Sequence, residues 1–234
     1  MLLCAAISPR LHAECAAQSR LERPHLVELY TSEGCSSCPP AEKWMSSIRN
    51  DPHQIGLEFH VDYWDELGWP DPFADARYTA RQRTLAERGA KAIVYTPQLV
   101  VDGRVWKNWP ATPAPTASVT SAPALDVKVT RDTGILVHLG SDAADAKRHR
   151  LYVALTENDL TSTVSAGENR GRQLTHDQVV RAFAGPLELP RAQVELDPPP
   201  GLDAAKSSVV AFIEDASSGD VVQVVKLSLA ECSP

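Results

Sequence analysis

Two cysteines separated by two residues, in Gly34-Cys35-Ser36-Ser37-Cys38-Pro39-Pro40, are the residues of this 234-residue chain best placed to do chemistry. The following Ala41 to Ile48 carries Trp44, Met45 and Ile48 at helical spacing, so the pair stands at the start of a predicted helix. Amides of a first helical turn lack intrahelical acceptors, and the aligned peptide dipoles add partial positive charge there. An anionic sulfur is stabilised in that position. Cys35 is therefore expected to attack as a thiolate, and Cys38, one turn on and more shielded, to resolve the mixed disulfide. Pro39 and Pro40 suit a helix start, where a missing N–H has no helical acceptor to lose, whereas further in a proline costs about 3 kcal/mol. Ser36 and Ser37 bring no positive charge, so helix-end amides and serine hydroxyls must activate the thiol, against the opposing charge of Glu33.

Three further groups could serve the pair. Thr96-Pro97 interrupts an apolar, β-like run; a proline there suits a turn or a cis bond beside a sheet edge, where it would leave the preceding backbone free to pair with an extended substrate. A loop proline is the plainer alternative. Glu28, set among Leu26, Val27, Leu29 and Tyr30, is expected to be buried with a raised pKa and to accept the proton of Cys38, unless its side chain leaves at the strand end. The aromatic-rich stretches His60 to Asp65 and Trp69 to Phe73 could wall a peptide site, or be core packing. His60 reads as a hydrogen-bonded histidine before it reads as a ligand. A structural zinc site needs four ligands, and the chain offers no second CxxC and no HxxxH; Cys15 and Cys232 are remote singles, and nothing in the sequence brings them together.

The elements around these residues alternate in type. His25 to Tyr30 reads as a strand covered on both faces, the cysteine helix follows, and Gly56 to Asp62 reads as a second strand. Asp71 to Arg88 reads as a surface helix. Ala92 to Tyr95 and Gln98 to Val101 are β-rich, and Asp102-Gly103 is a hairpin signal leading to Arg104-Val105-Trp106. An α/β half thus spans 24–109. Residues 110–124, dense in Pro, Ala, Thr and Ser, read as a linker. Over 125–230 the periodicity is mostly two, with strands expected at Leu125 to Thr130, Ile135 to Leu139, Leu151 to Thr156, Val194 to Leu196, Val209 to Glu214 and Val221 to Leu229; Thr175 to Phe183 fits helix or strand and is read as strand. The expected architecture is an α/β domain followed by a smaller all-β, sandwich-like domain.

Composition narrows the function. The chain is 43% hydrophobic and 23% charged with a formal charge of -7, and it has no basic run, which argues against a nucleic-acid surface. Residues 1–23 are read as a signal-like or disordered N-terminus: an apolar run from Met1 to Ile7 lacks a basic start, and Leu11-His12-Ala13 offers a small-residue cleavage site. No later apolar run reaches the roughly 20 residues needed to span a bilayer. A periplasmic or secreted location is expected.

Val27 to Ala41 with its Gly-Cys-Ser-Ser-Cys-Pro-Pro-Ala core, His60-Val61-Asp62-Tyr63-Trp64-Asp65, Gly68-Trp69 and Tyr95-Thr96-Pro97-Gln98 together resemble the secreted thioredoxin-like family catalogued as domain of unknown function 1223. Gly167-Glu168-Asn169-Arg170-Gly171 and Val209 to Ile213 extend the likeness to roughly residues 24 to 229. The resemblance implies a thioredoxin fold with Cys35 and Cys38 as the redox pair, Pro97 as its cis proline, and an appended β-rich domain. It implies no substrate. Pro110, Pro113 and Pro115 stand where the thioredoxin pattern has its last helix, which is expected to be shortened, displaced or missing.

The function expected is therefore thiol-disulfide exchange on exported protein or small thiol substrates, with Cys35, Cys38, Thr96, Pro97 and Glu28 as site residues, an unidentified redox partner, and no cofactor or resident metal. The competing readings are a Cu(I)-delivery protein, since soft thiolates favour that ion, and a binding module in which the cysteine pair is a structural disulfide.

Overall fold

The computed structural model describes residues 13–20, 22–88, 92–111, 122–132 and 134–232. In chain order the regular elements are β1 (Ala13–Gln18), β2 (His25–Thr31), α1 (Pro39–Ile48), β3 (Gln54–His60), α2 (Ala76–Glu87), β4 (Gln98–Val101), β5 (Arg104–Val105), β6 (Leu125–Arg131), β7 (Ile135–Ser141), β8 (His149–Glu157), β9 (Leu160–Thr163), β10 (Gln173–His176), β11 (Val179–Leu187), β12 (Arg191–Leu196), β13 (Ser207–Asp215) and β14 (Val221–Ser228).

An eight-stranded mixed sheet in the order β14-β13-β8-β11-β3-β2-β4-β5 runs through the molecule. The pair β2 and β3 is parallel, as the intervening α1 requires, and β4 returns antiparallel to β2. Side chains alternate across β2. Leu26 and Tyr30 join Leu57, Phe59, Tyr78 and Leu85 on the face covered by α2, while Val27 and Leu29 meet Ala41, Met45 and Ile48 of α1 on the other. A separate antiparallel sheet, β1-β6-β7-β12, packs on β8, β13 and β14 through Leu125, Val127, Val137, Val153, Val209 and Leu227. By the same alternation, Tyr152 and Phe212 face the α2 side. The large sheet thus has α2 on one face, with α1 and the four-stranded sheet side by side on the other.

Two expectations need correction. The β-rich half does not stand apart as its own sandwich: β8, β11, β13 and β14 extend the sheet of the first half, because β11 pairs parallel with β3 at Val179 and Glu58. Gln178 seals that seam. Its Oε1 accepts from the Gly56 amide at 2.9 Å, its Nε2 donates to the Met45 carbonyl at 2.9 Å, and a Cβ on Gly56 would lie 2.5 Å from that nitrogen. Within 1–23, residues Ala13 to Gln18 form β1, paired with β6 and tied by a Cys15–Cys232 disulfide, so that part is sheet and not a loose leader; residues 1–12 lie outside the described residues.

Thr175 to Phe183 is strand in both its parts, β10 and β11, whereas Ala92 to Tyr95 forms no strand. Among the described residues no α-helix follows β5, and most of the proline-rich 110–124 lies outside them. No helix of the described residues is long and apolar enough to cross a membrane.

Candidate functional site

Cys35 and Cys38 are joined as a disulfide at the mouth of α1, with Cys38 as the helix N-cap and Pro39 and Pro40 in the first two helical positions. The prolines remove two amides that could have faced the sulfurs, so local side chains matter more. Ser37 answers this: its hydroxyl lies 3.3 Å from Cys35 Sγ. Both cysteines are buried, Cys35 at 1% exposure, while Ser36 and Ser37 are exposed. The cover is the turn of the β9–β10 hairpin. Glu168 accepts from the Ser36 amide at 2.9 Å, and buried Asn169 donates to the carbonyls of Glu33 and Cys35.

The head of β4 lies beside this loop. Because Tyr30 pairs with Gln98, the Thr96–Pro97 peptide, which is cis, falls next to the end of β2 from which the cysteine loop departs. Trp64 links the two: its Nε1 donates to Thr96 Oγ1 at 2.8 Å, and its Cβ lies 3.0 Å from where a Gly34 Cβ would be, so a side chain at 34 would press on the indole. Trp69 donates to Glu33 at 2.8 Å. The two indoles of the aromatic stretch after β3 thus tie the cysteine loop and the Thr96–Pro97 peptide together.

Glu28 is not with the sulfurs. As an even-numbered residue of β2 it shares the α2 face with Leu26 and Tyr30, opposite α1. There Arg81 donates to both its oxygens at 2.9 and 2.8 Å, and Tyr30 donates at 2.7 Å. The local apolar neighbours suggested an unpaired carboxylate; the partner that matches its charge comes from α2, 53 residues away.

The acids on the α1 face were missed. Thr31, Glu58 and His60 are in register with that face, and around them gather Glu33, Glu42, Asp71 and His176, all buried. His60 Nδ1 meets Asp71 Oδ2 at 2.7 Å and its Nε2 meets Glu58 Oε1 at 3.0 Å. His176 Nε2 meets Glu33 Oε1, and its Nδ1 the same Glu58 oxygen, both at 3.1 Å. Thr31 donates to Glu42 at 2.6 Å, and Ser162 donates to Glu33. Burial and the charge of Glu58 push the Glu42 carboxyl up to about 7. Burial would lower both imidazoles, but contacts with Glu33 and Glu58 raise His176 to about 9, and Asp71 and Glu58 hold His60 well above its ordinary value. Glu58, His60 and His176 place donor atoms within 4.8 Å of one another. His60 and Glu33 stand out in the sequence, but Glu42, Glu58, Asp71 and His176 share no motif spacing that announces their meeting.

In the oxidised form the two sulfurs are bonded to each other, and His60 lies with Asp71 and Glu58 and not against the sulfurs.

Two solved structures are similar in fold. A crystal structure of an Agrobacterium tumefaciens protein is 22% identical with a TM-score of 0.64, over 92% of this chain and 99% of that one. HBP35 of Porphyromonas gingivalis is 13% identical with a TM-score of 0.59, over 92% of this chain and 78% of its own. No curated protein matches the chain. Residues 26–214 match the family described as "Protein of unknown function (DUF1223)", and the chain belongs to that family.

Proposed function

We propose that this protein is a thiol-disulfide oxidoreductase with a thioredoxin-like core, acting on exported protein or small thiol substrates. The observation that carries the reading is the Cys35–Cys38 disulfide at the start of α1, in a β2-α1-β3-α2-β4-β5 sequence with Thr96-Pro97 at the head of β4. The paired cysteines at both ends of the chain also favour an oxidising, exported compartment, where disulfides persist.

In the oxidising direction a substrate thiolate attacks Cys35 Sγ, the Cys35–Cys38 bond breaks, and Cys38 leaves as a thiolate that takes up a proton. A second substrate thiolate then attacks the substrate sulfur of the mixed disulfide and expels the Cys35 thiolate. Two electrons pass from the substrate dithiol to the cysteine pair, and a disulfide partner returns the pair to its oxidised form. Reduction of a substrate runs the same steps backwards. Ser37 Oγ, 3.3 Å from Cys35 Sγ, is the neighbouring donor for the thiolate.

The test is turnover of insulin disulfides with dithiothreitol, and of a model dithiol peptide with the oxidised protein. A Cys35→Ser variant is expected to lose activity by at least about tenfold in whichever direction the parent works. Equal activity in parent and variant would overturn the reading.

A further inference from the structure

We infer that Glu58, His60 and His176 form a binding site for a divalent transition cation of the Zn2+ type, beside α1 on the thiol face of the sheet. This inference is independent of the redox reading.

The geometry of the two imidazoles carries it. Each ring has one nitrogen held by its own carboxylate, His60 Nδ1 by Asp71 at 2.7 Å and His176 Nε2 by Glu33 at 3.1 Å. The remaining nitrogens, His60 Nε2 and His176 Nδ1, both converge on Glu58 Oε1, at 3.0 and 3.1 Å. Metal-binding histidines are commonly held this way, with a carboxylate on the far nitrogen fixing the ring; a cation bound here would displace the protons that His60 Nε2 and His176 Nδ1 now share with Glu58 Oε1.

A second observation points the same way. Glu58 is fully buried, and among the described residues its Oε2 meets no hydrogen-bond partner. An orphaned carboxylate oxygen in a dry interior is costly unless a cation or a donor meets it. Ligands about 2.0–2.2 Å from one ion lie no more than about 4.4 Å apart. His60 Nε2 and His176 Nδ1 stand 3.0 and 3.1 Å from Glu58 Oε1, close to the spacing of two ligands on one tetrahedral ion, and all three donors fall within 4.8 Å of one another. Glu42 Oε2, 3.6 Å from His176 Nδ1, is the neighbouring donor for a fourth position. Phe73 packs edge-on against both rings, at 5.3 and 5.6 Å, and holds their planes.

The donor set selects the ion. Two imidazoles with carboxylates suit Zn2+ and its neighbours, whereas Ca2+ and Mg2+ take oxygen donors and keep water. Four carboxylates, Glu33, Glu42, Glu58 and Asp71, face only two imidazoles, so added positive charge is favoured there. The cation would join β3 and α1 to β10, at the base of the hairpin whose turn covers Cys35.

The experiment uses the tag-free full chain, stripped with a chelator and kept oxidised so that thiolates do not compete. Zn2+ is titrated against a chromophoric chelator, and the loaded protein is studied by X-ray absorption at the zinc edge. One equivalent is expected, with nitrogen and oxygen in the first shell, imidazole scattering and no sulfur. Glu58→Gln and His176→Gln should abolish tight binding, and Asp71→Asn should weaken it by about 10–100-fold. Absence of stoichiometric binding to the parent, sulfur in the first shell, or binding unchanged in these variants would overturn the site. The absorption result uses the parent alone and so stands even where a variant fails to fold.

Discussion

Asn169 holds the backbone of Cys35 from a loop 134 residues away: its Nδ2 donates to the Cys35 carbonyl at 2.9 Å and to the Glu33 carbonyl at 2.8 Å. The side chain is fully buried, and the turn that carries it lies against the cysteine loop. Cys35 is almost wholly buried, and loosening this contact is expected to ease the approach of an external thiol to its Sγ.

Removing it should therefore expose the disulfide. For Asn169→Ala we expect reduction by dithiothreitol to run about 3–10-fold faster, since the loss of two buried hydrogen bonds, each about 0.5–1.5 kcal/mol net, raises the population of the open loop. Stopped alkylation time courses read this directly. An unchanged reduction rate would show that the hairpin turn does not limit access.

Ser37 tests the activation of the thiolate. With Pro39 and Pro40 removing two helix-start amides, the hydroxyl 3.3 Å from Cys35 Sγ carries more of the stabilisation. In Ser37→Ala the Cys35 thiolate pKa should rise by about one unit, the equivalent of about 1.4 kcal/mol. The pH dependence of iodoacetamide alkylation of the reduced protein measures it.

Arg81 is a structural cation with two buried partners. Its Nη2 reaches Glu28 at 2.8 Å and Glu214 at 2.6 Å, and its guanidinium stacks 4.9 Å from the Tyr152 ring and 5.1 Å from that of Phe212. Arg81→Met keeps the stem but leaves buried Glu28 without a cation and Glu214 with only its 3.4 Å contact to Arg88, so a loss of about 3–5 kcal/mol in urea unfolding is expected. A Glu28→Gln variant, by contrast, should leave disulfide exchange intact, because Glu28 faces away from α1.

The Cys15–Cys232 disulfide links residues 217 positions apart, clipping β1 to the turn after β14. Closing so long a loop restricts the unfolded chain strongly. The double variant Cys15→Ser with Cys232→Ser should lose roughly 3–5 kcal/mol of stability, measured under non-reducing conditions. Exchange at Cys35 should persist in the folded variant.

Asp215 anchors the turn between β13 and β14. Its carboxylate accepts from the Ser217 hydroxyl and amide and the Ser218 amide, and from Arg148 at 2.6 Å. The Ser217 contacts, and then Arg148, outweigh burial and hold its pKa below the ordinary carboxylate value. A depressed folded-state pKa stabilises the protein above the unfolded value near 4 and is lost as pH falls through the folded one. Asp215→Asn should therefore melt lower than the parent at neutral pH, the gap narrowing below about pH 4.

Much of the fold was readable because it depends on neighbours along the chain. Cys35 and Cys38 precede Pro39 and Pro40 within one turn, so their place at a helix start follows from local backbone chemistry. The β13–β14 hairpin around Asp215 to Asp220 and the β4–β5 turn at Asp102-Gly103 are equally local. By contrast, β1 pairs with a strand more than a hundred residues later, and its six residues carry no periodicity that separates them from a leader's end. The seam between the halves rests on Val179 beside Glu58 and on the Gln178 side chain, features no local pattern marks.

Sequence alone was enough to place two sulfurs at a helix mouth, because the amides, prolines and hydroxyls that define that mouth lie within a few residues. It also put Thr96-Pro97 in the same half. Only the tertiary structure decided which face of β2 meets α1, and with it that Glu28 belongs to Arg81 while Glu33, Glu42, Glu58, His60, Asp71 and His176 gather on the thiol face. The reason is physical: burial and charge pairing act through space between segments up to 143 residues apart, and a strand shows its two faces in alternation without saying what will cover either.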